Sequence, residues 1–100
     1  MSSADSSGWT FLTNHSHVLM CLAKDPTVRL REVAETVGIT ERTVQMIIQD
    51  LEHAGVVEKQ RNGRRNSYIL NLDRHLRHPV ESHCTVGDLV DLVDRIKSNA

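Results

Sequence analysis

The sequence predicts a mostly α fold with one small β-hairpin: a three-helix core, a hairpin of two to three strands, and a C-terminal helix. Three observations carry this expectation. Apolar residues in LREVAETV and ERTVQMIIQDL recur at amphipathic-helix spacing, and only Gly-Ile-Thr separates the two runs. The basic segment VVEKQRNGRRNSYIL reads as two strands around Asn62-Gly63, the strongest short-range hairpin signal. Thr85-x-x-Asp88 has the form of a capping box, ahead of Val86, Leu89, Val90, Val93 and Ile96 on one helical face.

Taken in order, residues 1–8 are small and polar and are expected to form a disordered leader. Trp9, Phe11 and Leu12 are too apolar to float free, and are expected to pack against a helix of this chain or of a second copy. The first helix is expected from about His15 to Lys24, capped by Thr13 or Asn14 and stopped by Pro26. Val18, Leu19 and Leu22 form its stripe, which Met20, Cys21 and Ala23 widen. Thr27 to Leu30 is a candidate third strand. In the second helix Leu30, Val33, Ala34 and Val37 share a face. Gly38 is the expected left-handed stop, since glycine has no Cβ to clash at positive φ. Ile39 then plugs the turn, Thr40 caps the third helix, and Glu41 suits its first turn.

The third helix runs from about Glu41 to Ala54, with Val44, Ile47, Ile48 and Leu51 inward and Arg42, Gln45, Met46, Gln49 and His53 opposite. Gly55 ends it. Strands follow at Val56–Arg61 and Ser67–Leu72. A type I′ turn at Asn62-Gly63 would need positive φ at both residues, and a longer loop through Asn66 is the alternative. Tyr68 and Leu70 should pack inward. The organisation expected is a leader (1–8), one domain (9–72), a loop around Pro79 (73–84), and a final helix (85–98) suited to dimerisation.

Net charge is −1, so the chain as a whole is no electrostatic magnet for nucleic acid. The charge is unevenly placed, however. Lys59, Arg61, Arg64 and Arg65 crowd one segment against Glu58, while Asp88, Asp91 and Asp94 oppose Arg95 and Lys97 in the last helix. With three aromatic residues in all, the core must come from Val, Leu, Ile, Met and Ala. Cys21 and Cys84 suggest no disulfide framework. The start of the chain has no secretory-signal pattern, and no apolar run approaches the ~20 residues that span a bilayer, so a soluble, cytoplasmic protein is expected. No nucleophile motif, phosphate-cradling loop or framed acid pair points to an enzyme, and no cofactor is implied.

The phrases REVAETVGITERTVQMIIQDLEHAGVV and RNGRRNSYIL resemble the winged helix-turn-helix domain of small MarR-like and ArsR-like bacterial and archaeal transcription regulators. The resemblance covers about Thr13 to Leu72, and WTFLTNH is similar to actinobacterial members of the group. It implies double-stranded DNA as partner. Separately, the stripe Val86, Leu89, Val93 and Ile96 of the last helix is close to a heptad seam, so a homodimer is expected, and a symmetric dimer implies a palindromic operator. Ala34 matches the close helix crossing, Gly38 the turn, and Val44 and Ile47 the buried side of the recognition helix. Thr40, Arg42, Thr43, Gln45, Met46 and Gln49 fall where that group presents side chains to the major groove, and Arg64 and Arg65 fall at the tip of the wing. The long terminal helices of MarR-like proteins and the paired-cysteine motif of metal-sensing ArsR-like proteins have no counterpart here.

These residue types suit the task. Arg pairs bidentately with guanine and Gln with adenine, while Met can meet a thymine methyl. Lys59, Arg61, Arg64 and Arg65 supply sequence-independent attraction to phosphate. Three other constellations compete. His75, His78, His83 and Cys84 cluster around Pro79, but their spacing matches no tight zinc signature, and surface or packing roles are expected. A winged-helix protein–protein interaction module would suit the near-zero net charge, and Glu41, Asp50 and Glu52 are awkward beside phosphate. A metal- or redox-responsive regulator using Cys84 is the third reading.

Overall fold

In the computed structural model, which describes residues 8–98 and side chains as far as Asp94, helix α1 spans Asn14–Lys24. The leader expected at residues 1–8 falls, Gly8 apart, outside the described residues, and so does the side chain of Ile96. Thr13, not Asn14, caps α1: its hydroxyl accepts from the Ser16 N–H. Helix α2 spans Leu30–Val37 and ends at Gly38, whose φ of 86° is left-handed as expected. Helix α3 spans Glu41–His53, and Gly55 at φ 77° turns the chain out of it. Strands β1 (Val57–Asn62) and β2 (Arg65–Leu70) form the hairpin, and helix α4 spans Val86–Ser98. Both bonds of the α4 capping box are present: the Thr85 N–H donates to Asp88 at 2.9 Å, and the Asp88 N–H donates to the Thr85 hydroxyl at 3.1 Å.

One hydrophobic cluster joins every element. Val18, Leu19 and Leu22 of α1 meet Val33 and Ala34 of α2 and Val44, Ile47, Ile48 and Leu51 of α3. Val57 and Tyr68 close the cluster from the hairpin, and Val86 closes it from α4. Burying one such aliphatic side chain contributes ~1.5–3 kcal/mol, so this shared core fixes the mutual placement of the helices. Leu89 and Val90 pack against it, while Leu92 is half exposed to solvent.

Two expectations need correction, and one of two alternatives is removed. Thr27–Leu30 is not a strand, and the sheet has two strands. Asp25 holds the turn at Thr27 through bonds to its N–H and hydroxyl, and Leu30 already begins α2, which leaves too few residues to extend. A single ladder-like bond survives there, from the Tyr68 N–H to the Pro26 carbonyl at 3.0 Å. The hairpin turn is also shifted by one residue. Asn62 pairs with Arg65, so Gly63 and Arg64 are the central residues, and only Gly63 has positive φ, at 63°. That is the pattern of a type II′ turn, not I′. The register expected from Asn62-Gly63 would set Arg61 directly opposite Arg64, a like-charge pair; the observed one sets Arg61 opposite Asn66. Of the two placements expected for Trp9 and Phe11, a helix of their own chain is not the one: they are 66% and 92% exposed, which leaves a second copy.

Candidate nucleic-acid interface

The residues proposed to read DNA sit on α3 because its sequence alternates at helical period around a fully used core stripe. Val44, Ile47, Ile48 and Leu51 are buried, so Arg42, Gln45, Met46, Gln49 and His53 must face away, and all five are exposed. At the helical rotation per residue these five span an arc of about 100°. The acids fall outside that arc, Glu41 and Glu52 on one flank and Asp50 on the other. Met46, at 58% exposure, puts its thioether at one edge of the polar arc, on the side of Asp50.

Thr40 and Thr43 have a different setting. Thr40 is the N-cap of α3, and its hydroxyl accepts from the Thr43 N–H at 3.1 Å. The two hydroxyls also bond one another at 2.9 Å, and Thr43 is half-buried. Their first task is therefore to start the helix that carries the longer side chains.

In the hairpin, β-strand alternation puts Lys59 and Arg61 on the face of Val57, Tyr68 and Leu70, while Arg65 starts on the opposite face. All four basic side chains are exposed. Arg61 donates from Nε to the Gly63 carbonyl at 3.2 Å, which braces the turn. Arg65 donates to the Thr27 carbonyl at 2.9 Å and ties the hairpin to the loop before α2. Arg64 occupies the tip and has no hydrogen-bond partner among the described residues. A cleft of about 380 Å³ lies between Thr27–Leu30 and Arg64–Asn66, and Arg29 lines it beside Arg64 and Arg65. Sequence reasoning missed Arg29; a cation directly before a helix start was the available signal. No hydrogen bond or ion pair among the described residues joins the α3 group to the hairpin group.

The awkward acids are partly accounted for. Asp50 accepts from, or pairs with, His15 Nε2 at 2.9 Å, both groups being substantially exposed. Burial, with the Glu52 carboxylate as a second cause, pushes the Tyr68 hydroxyl above its ordinary pKa, so the phenol stays neutral. Burial likewise raises the Cys21 thiol, which marks it as an inert packing residue.

The histidine-rich loop does not converge on a point. His75 Nδ1 bonds the Ser82 carbonyl at 2.8 Å, His78 Nδ1 accepts from the Val80 N–H at 3.1 Å, His83 is exposed and Cys84 is half-buried. Among the described residues, no group of three or more His, Cys, Asp or Glu side chains is placed to hold a metal ion.

Comparison with known proteins agrees with this architecture. The family model described as "Sugar-specific transcriptional regulator TrmB" matches residues 11–73. Among solved structures, the chain resembles MepR, a transcription regulator of the Staphylococcus aureus multidrug efflux pump MepA. The TM-score is 0.52 at 17% identity, over 86% of this chain and 60% of MepR, a likeness of fold. The chain thus spans about 60% of the length of that protein. Among curated proteins none matches. No helix among the described residues is long and apolar enough to cross a membrane.

Proposed function

The chain belongs to the TrmB family of transcriptional regulators, and from that premise we propose that it is a sequence-specific double-stranded DNA-binding regulator acting in the cytoplasm as a homodimer. In this reading α3 enters the major groove, and the hairpin is the wing that holds the backbone. Arg42, Gln45, Met46 and Gln49 contact base edges, with Thr40 and Thr43 at the helix start. Lys59, Arg61, Arg64 and Arg65 neutralise phosphates. The domain that does this is residues 9–72, and the helix after the 73–84 loop serves the dimer. The reading involves no catalytic step.

One observation carries it: the exposed arc of α3 holds Arg42, Gln45, Met46 and Gln49 with no carboxylate among them, on a chain whose net charge is slightly negative. An interaction module has no need of that exclusion, nor of three arginines around one turn. In a two-fold dimer, recognition helices sit about 34 Å apart, so the operator is palindromic. Selection of bound duplexes from a random pool tests the reading directly. The expected result is an enriched inverted repeat with half-sites one helical turn apart, whereas no enrichment above input overturns it.

A further inference from the structure

A groove of about 760 Å³ opens between the start of α1, the C-terminal end of α3 and the loop before α4. Its floor is apolar: Leu19, Leu51, Val56, Leu76, Val86 and Leu89. Its rim is polar, with the His15–Asp50 pair, His53 and Arg77. That volume and lining suit a large apolar group with a polar surround. Just before α1, Trp9 and Phe11 stand out from the surface as an edge-to-face pair, 5.0 Å between centroids and 79° between planes. The arm is rooted by half-buried Leu12 and by Thr13, the cap of α1, and a bond from the Thr10 hydroxyl to the Leu12 carbonyl bends it.

We propose that this aromatic arm seats in the groove of a second copy of the chain, and that the exchange is reciprocal. The inference rests on the dimeric reading above and adds a contact to the one that the C-terminal helix makes, since Val86 and Leu89 of that helix line the same groove. A two-fold interface brings a patch against its own copy, so arm and socket must lie side by side on each protomer. They do: Trp9 and Phe11 lead directly into α1, and His15, Ser16 and Leu19 of its first turns line the groove. Within one chain the arm leaves the groove open, with Phe11 92% exposed.

The area is adequate. Four aromatic side chains, two from each copy, remove about 600–1,000 Å² from water. The groove walls that cover them add a smaller area, so the contact reaches the low end of a standard stable interface, ~1,200 Å². The arm is also chemically compatible. Residues 8–12 carry no charge to set against the rim, and the Arg77 guanidinium is available to stack on a ring face.

Trp9 is the sole tryptophan, so intrinsic fluorescence reports on the arm alone. The full chain is diluted through its dimer–monomer transition, followed in parallel by sedimentation. Trp9 emission is expected to shift to the red and to become more quenchable by acrylamide as the dimer dissociates. Phe11→Ala, at a ring that the fold does not bury, is expected to weaken dimerisation about tenfold. Equal quenching of Trp9 in dimer and monomer overturns the exchange but leaves the dimer standing. Shielding already present in the monomer also overturns it, because the arm then lies in its own groove. A monomer at every concentration overturns the exchange and the dimer together.

Discussion

Arg74 Nε donates to the Ala54 carbonyl at 2.9 Å, so a residue from the loop after the hairpin closes the C-terminal end of α3. A cation there meets both an unpaired carbonyl and the negative end of the helix dipole. Gly55 is favoured there by its φ of 77°, and a Cβ on it would approach the guanidinium to 3.0 Å, so a side chain would also press on the cap.

Arg74→Ala is therefore expected to lower stability by about 1 kcal/mol, or roughly 4–8 °C in melting temperature for a domain of this size. Arg74→Lys should recover part of the loss, since charge survives but the planar donor does not. Thermal melts of the three proteins check this, and an unchanged melting temperature in Arg74→Ala counts against the cap.

The two wing arginines should behave differently. Arg64→Ala removes a tip charge with no other partner among the described residues, so it should weaken binding to every duplex alike and leave stability unchanged. Arg65→Ala breaks the bond to the Thr27 carbonyl as well, so it should also lower the melting temperature. Together they should reduce the slope of log affinity against log salt by about 2. Titrations at several salt concentrations, paired with melts, separate the effects.

Arg42→Ala should relax base preference at one operator position, with a cost of about 1–3 kcal/mol on the selected site and much less on random duplex. Gln45→Ala and Gln49→Ala should act at other positions. Competition titrations with single-base operator variants read the change, and a uniform loss across all sequences would reassign Arg42 to phosphate.

Tyr68 sets an alkaline limit. Its folded pKa is raised, mainly by burial, so the unfolded chain ionises first as pH rises. The stability contribution is complete below the unfolded value of about 10 and is lost as pH climbs through the folded one. Melts from neutral pH upward should show this loss in the wild type, and Tyr68→Phe should flatten it.

Local chemistry made much of this fold legible. Gly38, Gly55, Thr40 and the Thr85–Asp88 box each act on partners within a few residues, and each stands where its residue type suggested. The α3 stripe was legible for the same reason, because a face needs only its own period. The misread features depend on distant partners. The turn at Gly63-Arg64 follows from pairing across the whole ladder, and the Arg74 cap joins residues twenty positions apart. Arg29 enters the cleft beside Arg64 and Arg65 only because the hairpin folds back to the loop before α2. Trp9 and Phe11 were expected against a helix of this chain or of a second copy, and within one chain they stand exposed.

The hydroxyl-to-hydroxyl bond between Thr40 and Thr43 has a practical consequence for redesign. Both side chains are occupied in starting their own helix, so randomising them would trade folding against any change in readout. A library meant to retarget the protein to new operators should vary Arg42, Gln45, Met46 and Gln49 and hold the two threonines fixed.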